Sequence, residues 1–322
     1  MMSSFAAPAF AALLKSTALF GAALLILRAM RRSSAAARHA VCLLALAGSV
    51  PLLLFSFLPS PIHVLPAGLS VFSTASTATR AAASSPVDWT AICLALWAGG
   101  MLAFTVRYLS GILLVRRIVT NAGVVSDHAW LRDLDSAASN LDVPAGSVSL
   151  RFADLASPVT CGLLRPSILV PPAARHWSAE QRHAVLMHEL AHVRRRDLWT
   201  NAAAAISTFV FWFHPLAWML AARLREEQEC ACDDVVLNGG FVPTAYADVL
   251  LAAARTKSPG ALFACAMNGG VFRNRVAHVL DAARCRTADQ AISSRAVLAG
   301  LACVAVLSLL GPAIAAAEEV HK

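Results

Sequence analysis

Long apolar runs separated by short basic or polar stretches dominate the pattern of hydrophobic and polar positions. Four runs have the length that a helix needs to cross a bilayer: residues 9–27, 40–58, 90–115 and 296–316. Two clusters of arginine directly follow the first and third runs: Arg28, Arg31, Arg32 and Arg38, and then Arg116 and Arg117. Because basic flanks stay in the cytoplasm, we expect four transmembrane helices, with the N-terminus outside and the region after the third helix inside the cell.

The region between the third and fourth runs is more polar and has mixed periodicity. Residues 126–141 have the pattern of an amphipathic helix, residues 148–152 alternate like a strand, and residues 167–170 read as a second strand before two prolines. The pattern therefore predicts a mainly α membrane protein that carries an α+β domain with a small sheet. The expected parts are an N-terminal membrane region (1–117), a cytoplasmic domain (118–294) and a C-terminal helix with a short tail (295–322).

One further apolar run, residues 202–222, lies inside the cytoplasmic domain. It is about 20 residues long, which is enough to cross a membrane, but arginines flank it on both sides. We therefore expect both flanks to stay in the cytoplasm, with a hairpin that breaks near His214-Pro215 and dips into or lies against the membrane. The returning helix is expected to extend from Leu216 to Asn238, before Gly239-Gly240.

Composition supports a membrane protein at the cell's inner membrane. Hydrophobic residues make up 58% of the chain and charged residues 14%, against about 25% charged residues in soluble domains. The net charge of +8 comes from clusters beside apolar runs, without a nucleic-acid-binding motif, so we expect contact with membrane lipid and no direct binding of nucleic acid. The eight cysteines are scattered, which is typical of buried thiols and not of a disulfide framework.

The strongest chemical signal is the motif H-E-x-x-H at His188, Glu189 and His192. Residues four apart share a helix face, so the two imidazoles can converge on one zinc ion. Glu189 lies about 100° round the helix, where its carboxylate can reach a water beside the metal as a general base without being a ligand.

The flanking sequence favours the helix that this motif needs. Ser178 and Gln181 form a potential capping box, and neither glycine nor proline interrupts residues 179–198. The alternative is a core helix with two incidental histidines.

The third metal ligand is expected from the later helix. Glu229 and Asp233 are four residues apart on one face, so Glu229 can bind the metal while Asp233 orients a ligand imidazole. Zinc accepts carboxylates and thiolates, so the rivals for Glu229 remain Glu226, Glu227, Cys230 and Cys232. For Glu226 and Glu227 a solvated helix face near arginines is the more ordinary interpretation.

Several polar residues near these motifs have less specific signals. Arg195 and Asp197 are expected to form an ion pair beside the site. When a metal-bound water attacks a carbonyl group, the carbonyl oxygen becomes negatively charged and needs a hydrogen-bond donor besides the metal. Tyr246, His214 or Arg195 could supply this donor.

Taken together, these motifs resemble the integral-membrane metallopeptidases typified by the BlaR/MecR β-lactam sensor-transducers. The resemblance rests on the motif from His188 to Asp197, Asn201, His214-Pro215 with Trp218, the motif from Glu229 to Asp233, the upstream segment 157–171, and Tyr246 with Arg273-x-Arg275. A weaker likeness is to CAAX prenyl proteases, which share H-E-x-x-H and a later E-x-x-x-D.

The resemblance implies a gluzincin-like zinc endopeptidase that cleaves a cytoplasmic regulator, such as a winged-helix repressor, or itself. It assigns His188, His192 and Glu229 as zinc ligands and Glu189 as the base. The sequence contains no S-x-x-K motif, so antibiotic sensing is not expected of this chain by itself. A membrane receptor or adaptor that keeps the fold without cutting is the alternative, although Glu189 argues against it.

Overall fold

Three long apolar helices form the N-terminal part of the protein. The computed structural model describes residues 2–57, 89–255, 271–284 and 286. The helices are α1 (Met2–Ala29), α2 (Ala35–Ser56) and α3 (Trp89–Asn121), and all three are long and apolar enough to cross a membrane. They correspond to the first three predicted spans. The fourth predicted span, residues 296–316, lies outside the described residues.

The remaining described residues form a helical domain with one small sheet. Its elements are β1 (Gly123–Val124), α4 (His128–Asn140), β2 (Ser149–Phe152), β3 (Val159–Cys161), β4 (Ser167–Val170), a 3₁₀ helix (Pro172–His176), α5 (Ala179–Arg194), α6 (Asp197–Val210), α7 (Pro215–Asn238), α8 (Pro243–Arg255) and a helix over 271–280, here α9. The architecture is mainly α, with the small sheet that the sequence predicts.

The sheet has four strands in the order β1-β2-β4-β3, so β3 lies at one edge. β2 and β4 are parallel, whereas β1 and β3 pair antiparallel with their neighbours. The sequence predicts β2 and β4 but misses β1 and β3, because strands of two and three residues show no readable alternation. The predicted amphipathic helix is α4, and Asp127 caps it by accepting a hydrogen bond from the Ala129 backbone N–H at 2.8 Å.

Helix α5 begins as its sequence indicates and ends earlier than expected. Ser178 and Gln181 form the predicted capping box. The uninterrupted run 179–198 predicts one helix, but α5 ends at Arg194 and a new helix begins at Asp197. Arg196 adopts a left-handed conformation with φ 57° at the break. The turn brings Asp197 back towards the last turn of α5, a tertiary requirement that the local pattern does not show.

The apolar run 202–222 is broken between two helices. α6 ends at Val210, and α7 begins at Pro215, whose ring suits the first turn of a helix. The break lies beside the predicted His214-Pro215, and α7 ends at Asn238 as expected. Apolar side chains of α1, α2, α6 and α7 pack into one buried cluster, which includes Phe20, Leu46, Leu52, Leu220 and Leu224. Helices α6 and α7 are thus packed directly on the apolar helices α1 and α2.

Helix α3 contacts the other helices mainly through aromatic side chains. The indole N–H of Trp97 donates to the Val210 carbonyl at 2.9 Å, and that of Trp212 donates to the Trp97 carbonyl at 3.2 Å. Phe104 stacks near Trp212 and Trp218. No described residue of α3 is buried, so its remaining surface is open and apolar, as expected of a helix that faces lipid.

Candidate metal centre

Two histidines on α5 and one glutamate on α7 converge at a single point. Nε2 of His188 lies 3.5 Å from Oε2 of Glu229, and Nε2 of His192 lies 3.7 Å from Oε1 of the same carboxylate. The potential ligand atoms of the three residues all lie within 4.8 Å of one another. Two imidazole nitrogens and one carboxylate form a donor set that zinc takes in catalytic sites, so the residues fit a zinc ion.

A carboxylate lies beside the second ring nitrogen, Nδ1, of each imidazole. Asp233 Oδ1 lies 3.2 Å from His188 Nδ1, and Asp197 Oδ2 lies 2.8 Å from His192 Nδ1. This arrangement turns both Nε2 atoms towards Glu229, and it is the usual support for histidines that bind metals. Arg195 in turn contacts Asp197, with 3.3 Å between Nε and Oδ2.

The charges of the group favour an ionised Glu229. Burial opposes ionisation, but Arg275, His188 and His192 outweigh it and lower the pKa of Glu229 to about 2. For His188, burial would lower the pKa, whereas Asp233 and Glu229 raise it to about 9. Burial likewise disfavours the charged form of Asp197, yet His192 and Arg195 hold its pKa below the usual range. The site is therefore a compact cluster in which the carboxylates of Glu229 and Asp197 are ionised beside the two imidazoles.

Glu189 is buried beside the edge strand of the sheet. Its carboxylate Oε2 accepts a hydrogen bond from the Thr160 hydroxyl at 2.7 Å, and the same hydroxyl lies 3.1 Å from the Glu189 carbonyl oxygen. The motif predicts Glu189 as the base, whereas Thr160 has no signal of its own beyond its place in the resembling segment 157–171, since strand β3 is not predicted. The contact fixes one oxygen of the Glu189 carboxylate beside the edge strand.

Arg275, on α9, also joins the site. Its Nη1 lies 2.9 Å from Glu229 Oε2, and its Nε and Nη2 donate to the two oxygens of Asp233 at 2.9 and 2.7 Å. Burial opposes the charge, but Asp233 and Glu229 hold the pKa of Arg275 well above its ordinary value. The only signal for this residue in the sequence is its place in the resembling Arg273-x-Arg275 segment.

Two of the predicted oxyanion donors, Tyr246 and His214, are hydrogen-bonded to other groups. The Tyr246 hydroxyl donates to Asp233 Oδ1 at 2.8 Å and lies 3.1 Å from His188 Nδ1, behind the imidazole. His214 is hydrogen-bonded to the Thr17 hydroxyl of α1 at 2.9 Å and does not line the cleft. The placement of His214 corrects the expectation, whereas Tyr246 lines the cleft with its hydroxyl bound to Asp233.

The rival ligands have other environments. Glu227 is not solvated: it is buried and paired with Arg38, which corrects the expected surface position. Glu226 pairs with Arg223 on a more open face, as expected. Cys232 Sγ lies 3.3 Å from His192 Nδ1 and 3.4 Å from Asp197 Oδ2, so these three residues form a second possible cluster of ligands. Burial raises the pKa of the Cys232 thiol, which disfavours the thiolate that zinc requires.

A cleft of about 520 Å³ surrounds the metal group. The strand β3 forms one wall through Val159 and Thr160, and Asn201 and Gln228 add polar groups. Apolar side chains close the other side, namely Val185, Val249, Leu250 and Phe272. A cleft of this size, with a sheet edge beside the metal group, can hold an extended peptide segment.

Comparisons with known proteins agree with the geometry. The model of the family described as BlaR1 peptidase M56 matches residues 9–279. The Regulatory protein BlaR1 of Bacillus licheniformis is 29% identical over 144 residues, which cover 45% of this chain and 24% of that protein. The Methicillin resistance mecR1 protein of Staphylococcus aureus (strain Mu50 / ATCC 700699) is 25% identical over 87 residues, which cover 27% and 15% of the two proteins. The similarity thus spans a quarter or less of the length of these relatives.

Proposed function

Because the chain belongs to the BlaR1 peptidase M56 family, a family of metallopeptidases, we propose that it is a membrane-anchored zinc endopeptidase that cleaves a cytoplasmic protein. In this proposal His188, His192 and Glu229 hold the zinc ion, and Asp233 and Asp197 orient the two imidazoles. The supporting observation is that both Nε2 atoms face one carboxylate while both Nδ1 atoms have carboxylate partners.

A zinc ion bound there would polarise the scissile carbonyl and lower the pKa of a nearby water. Glu189 takes the proton from that water as its oxygen bonds to the carbonyl carbon, and then gives the proton to the leaving amine as the C–N bond breaks. Thr160 holds one oxygen of the Glu189 carboxylate, so the other oxygen remains for proton transfer. The edge strand β3 would receive the substrate backbone by strand addition.

We place the peptidase domain, residues 118–294, on the cytoplasmic side of the inner membrane, with the hairpin 202–222 against the bilayer. The distribution of arginines supports this orientation. The relatives are called a regulatory protein and a resistance protein, so we propose a role in signal transduction. The substrate would then be a cytoplasmic regulator, such as a winged-helix repressor, or the chain itself.

Proteolysis by purified protein tests the proposal. Detergent-solubilised protein with zinc should degrade unstructured β-casein, and Glu189→Gln should retain zinc but lose cleavage by about 100-fold or more. Glu180→Gln is the matched control, because Glu180 lies exposed on the first turn of the same helix. Zinc bound with no cleavage of β-casein or of co-expressed regulators would favour the non-catalytic receptor.

A further inference from the structure

We propose that Arg275 is a catalytic residue that donates a hydrogen bond to the oxygen that becomes negative when water adds to the scissile carbonyl. The role rests on the proposed peptidase function and deepens it. Hydrolysis needs such a donor where charge develops, and the structure leaves the donors expected from the sequence facing other groups. Arg275 is the described arginine that faces the open side of the metal group.

Asp233 fixes the orientation of the Arg275 guanidinium. Two parallel hydrogen bonds, from Nε and Nη2, engage both oxygens of a carboxylate that is itself fully buried. Such forked pairing holds the planar group in one orientation. The third nitrogen, Nη1, is left to face Glu229 Oε2 at 2.9 Å, while Nη2 lies 3.5 Å from His188 Nε2. The donor therefore points at the same atoms that would hold the zinc ion.

The segment that carries Arg275 is anchored to α7 independently of the catalytic group. His278 Nε2 lies 2.7 Å from Asp234 Oδ1, and the Asn238 side-chain amide donates to the Arg286 carbonyl at 2.9 Å. Arg286 also donates to the Val279 carbonyl at 2.8 Å. These contacts hold α9 against the helix that carries Glu229 and so keep Arg275 beside the metal group.

The chemistry suits a permanently protonated donor. As the C–O bond forms, the carbonyl oxygen gains negative charge, and Arg275 stabilises it by donation without giving up a proton. The first proton of the water goes to Glu189 and then to the leaving amine, the C–N bond breaks as the C=O bond re-forms, and the new carboxyl group loses the second proton to become a carboxylate. Arg275 therefore neither gains nor loses a proton in the cycle.

The other candidate donors for the oxyanion, Tyr246 and Arg195, are bound to carboxylates behind the imidazoles. The Tyr246 hydroxyl is bound to Asp233 behind His188, and Arg195 is paired with Asp197 behind His192. Both residues support an imidazole from the side opposite Glu229. Arg275 is thus the donor that lies on the same side as the ligand atoms, and its Nη1 carries a second N–H besides the one that meets Glu229.

Inhibitor binding tests this role without a substrate. The two probes are a phosphinic dileucine peptide, whose tetrahedral phosphinate mimics the developing oxyanion, and a dileucine peptide with a thiol head group, which offers the metal sulfur alone. Arg275→Lys and Arg275→Gln are compared with wild type, and Arg273→Lys is the matched control, because Arg273 is exposed on the same helix and does not line the cleft. Zinc content and thermal unfolding are measured for every variant, in detergent and with the full chain.

The expected result is selective loss of the phosphinic probe. Both Arg275 variants should bind it about 10- to 100-fold more weakly, as expected for one charge-assisted hydrogen bond, while the thiol probe changes by less than about threefold. Arg273→Lys should bind both probes like wild type. Equal loss of both probes, or no loss of either, would overturn the catalytic role. Wild-type protein that binds zinc but neither probe would instead contradict the peptidase proposal itself.

Discussion

The guanidinium of Arg38 on α2 is buried against the carboxylate of Glu227 on α7, with 2.7 Å between Nη2 and Oε2. The side chains are 5% and 7% exposed. Glu227 lies two residues before Glu229, so this pair ties an apolar N-terminal helix to the helix that supplies the carboxylate of the metal group. Ala35 and Ala36 of α2 pack on Cys230 and Ala231 beside it, which extends the same contact.

Replacing only one partner of this ion pair should destabilise the protein strongly. Arg38→Met leaves the Glu227 carboxylate buried without a partner, and we expect a loss of about 3–5 kcal/mol in the free energy of unfolding. Thermal and denaturant unfolding in detergent would measure it. The double variant Arg38→Met with Glu227→Met should recover most of the loss, because an apolar pair can replace a buried ion pair. A single variant as stable as wild type would show that the pair does not couple the two helices.

Loss of the Thr160 hydroxyl should lower the rate of cleavage, because it holds Glu189, without changing metal binding. Thr160→Val keeps the shape of the side chain but removes the donor to Glu189 Oε2, and we expect kcat for β-casein to fall about tenfold. Thr160→Ser restores a hydroxyl and should return most of the activity. Zinc content should be the same in all three proteins. If valine and serine variants lose activity equally, the hydroxyl is not what holds the base.

The carboxylate behind His192 should strengthen metal binding. Asp197→Asn removes the charge from its contact with His192 Nδ1, and we expect zinc affinity to fall about 10- to 100-fold in competition with a chelating dye. Asp133→Asn is the matched control, since Asp133 pairs with Arg182 at 2.8 Å in the same domain and does not line the cleft. Equal affinities for the two variants would argue against support of His192 by Asp197.

Two adjacent glycines on α3 give a matched test of how that helix packs. A methyl group at Gly100 would overlap the indole ring of Trp212, whereas one at Gly99 meets nothing within 4 Å. Gly100→Ala should therefore lower the free energy of unfolding by about 1–3 kcal/mol through overpacking, while Gly99→Ala should be tolerated. Thermal unfolding in detergent compares them. Similar behaviour of both variants would mean that α3 does not pack closely on the turn between α6 and α7.

The parts of the site that sequence predicts are those fixed by spacing within one helix. His188 and His192 share a face because they are four apart, and the same reason links Glu229 and Asp233. The apolar runs likewise predict α1, α2 and α3. In each case the spacing of residues within one helix is enough to predict the feature.

The parts that sequence misses depend on packing between distant segments. Thr160 reaches Glu189 only because a three-residue edge strand lies beside α5. Arg275 reaches Glu229 because α9 packs on α7, and Arg38 makes Glu227 buried where its neighbours suggest a solvated face. The early end of α5 at Arg194 is a similar case, because the left-handed Arg196 turns the chain so that Asp197 contacts His192.

X-ray absorption of the zinc-loaded protein tests the central claim most directly, because nitrogen and oxygen ligands scatter at shorter distances than sulfur. Coordination by His188, His192 and Glu229 predicts one zinc per chain with nitrogen or oxygen neighbours at about 2.0–2.2 Å and no sulfur. Glu189→Gln should give the same spectrum. A sulfur neighbour at about 2.3 Å would instead indicate the cluster with Cys232, and protein that binds no zinc would contradict the account altogether.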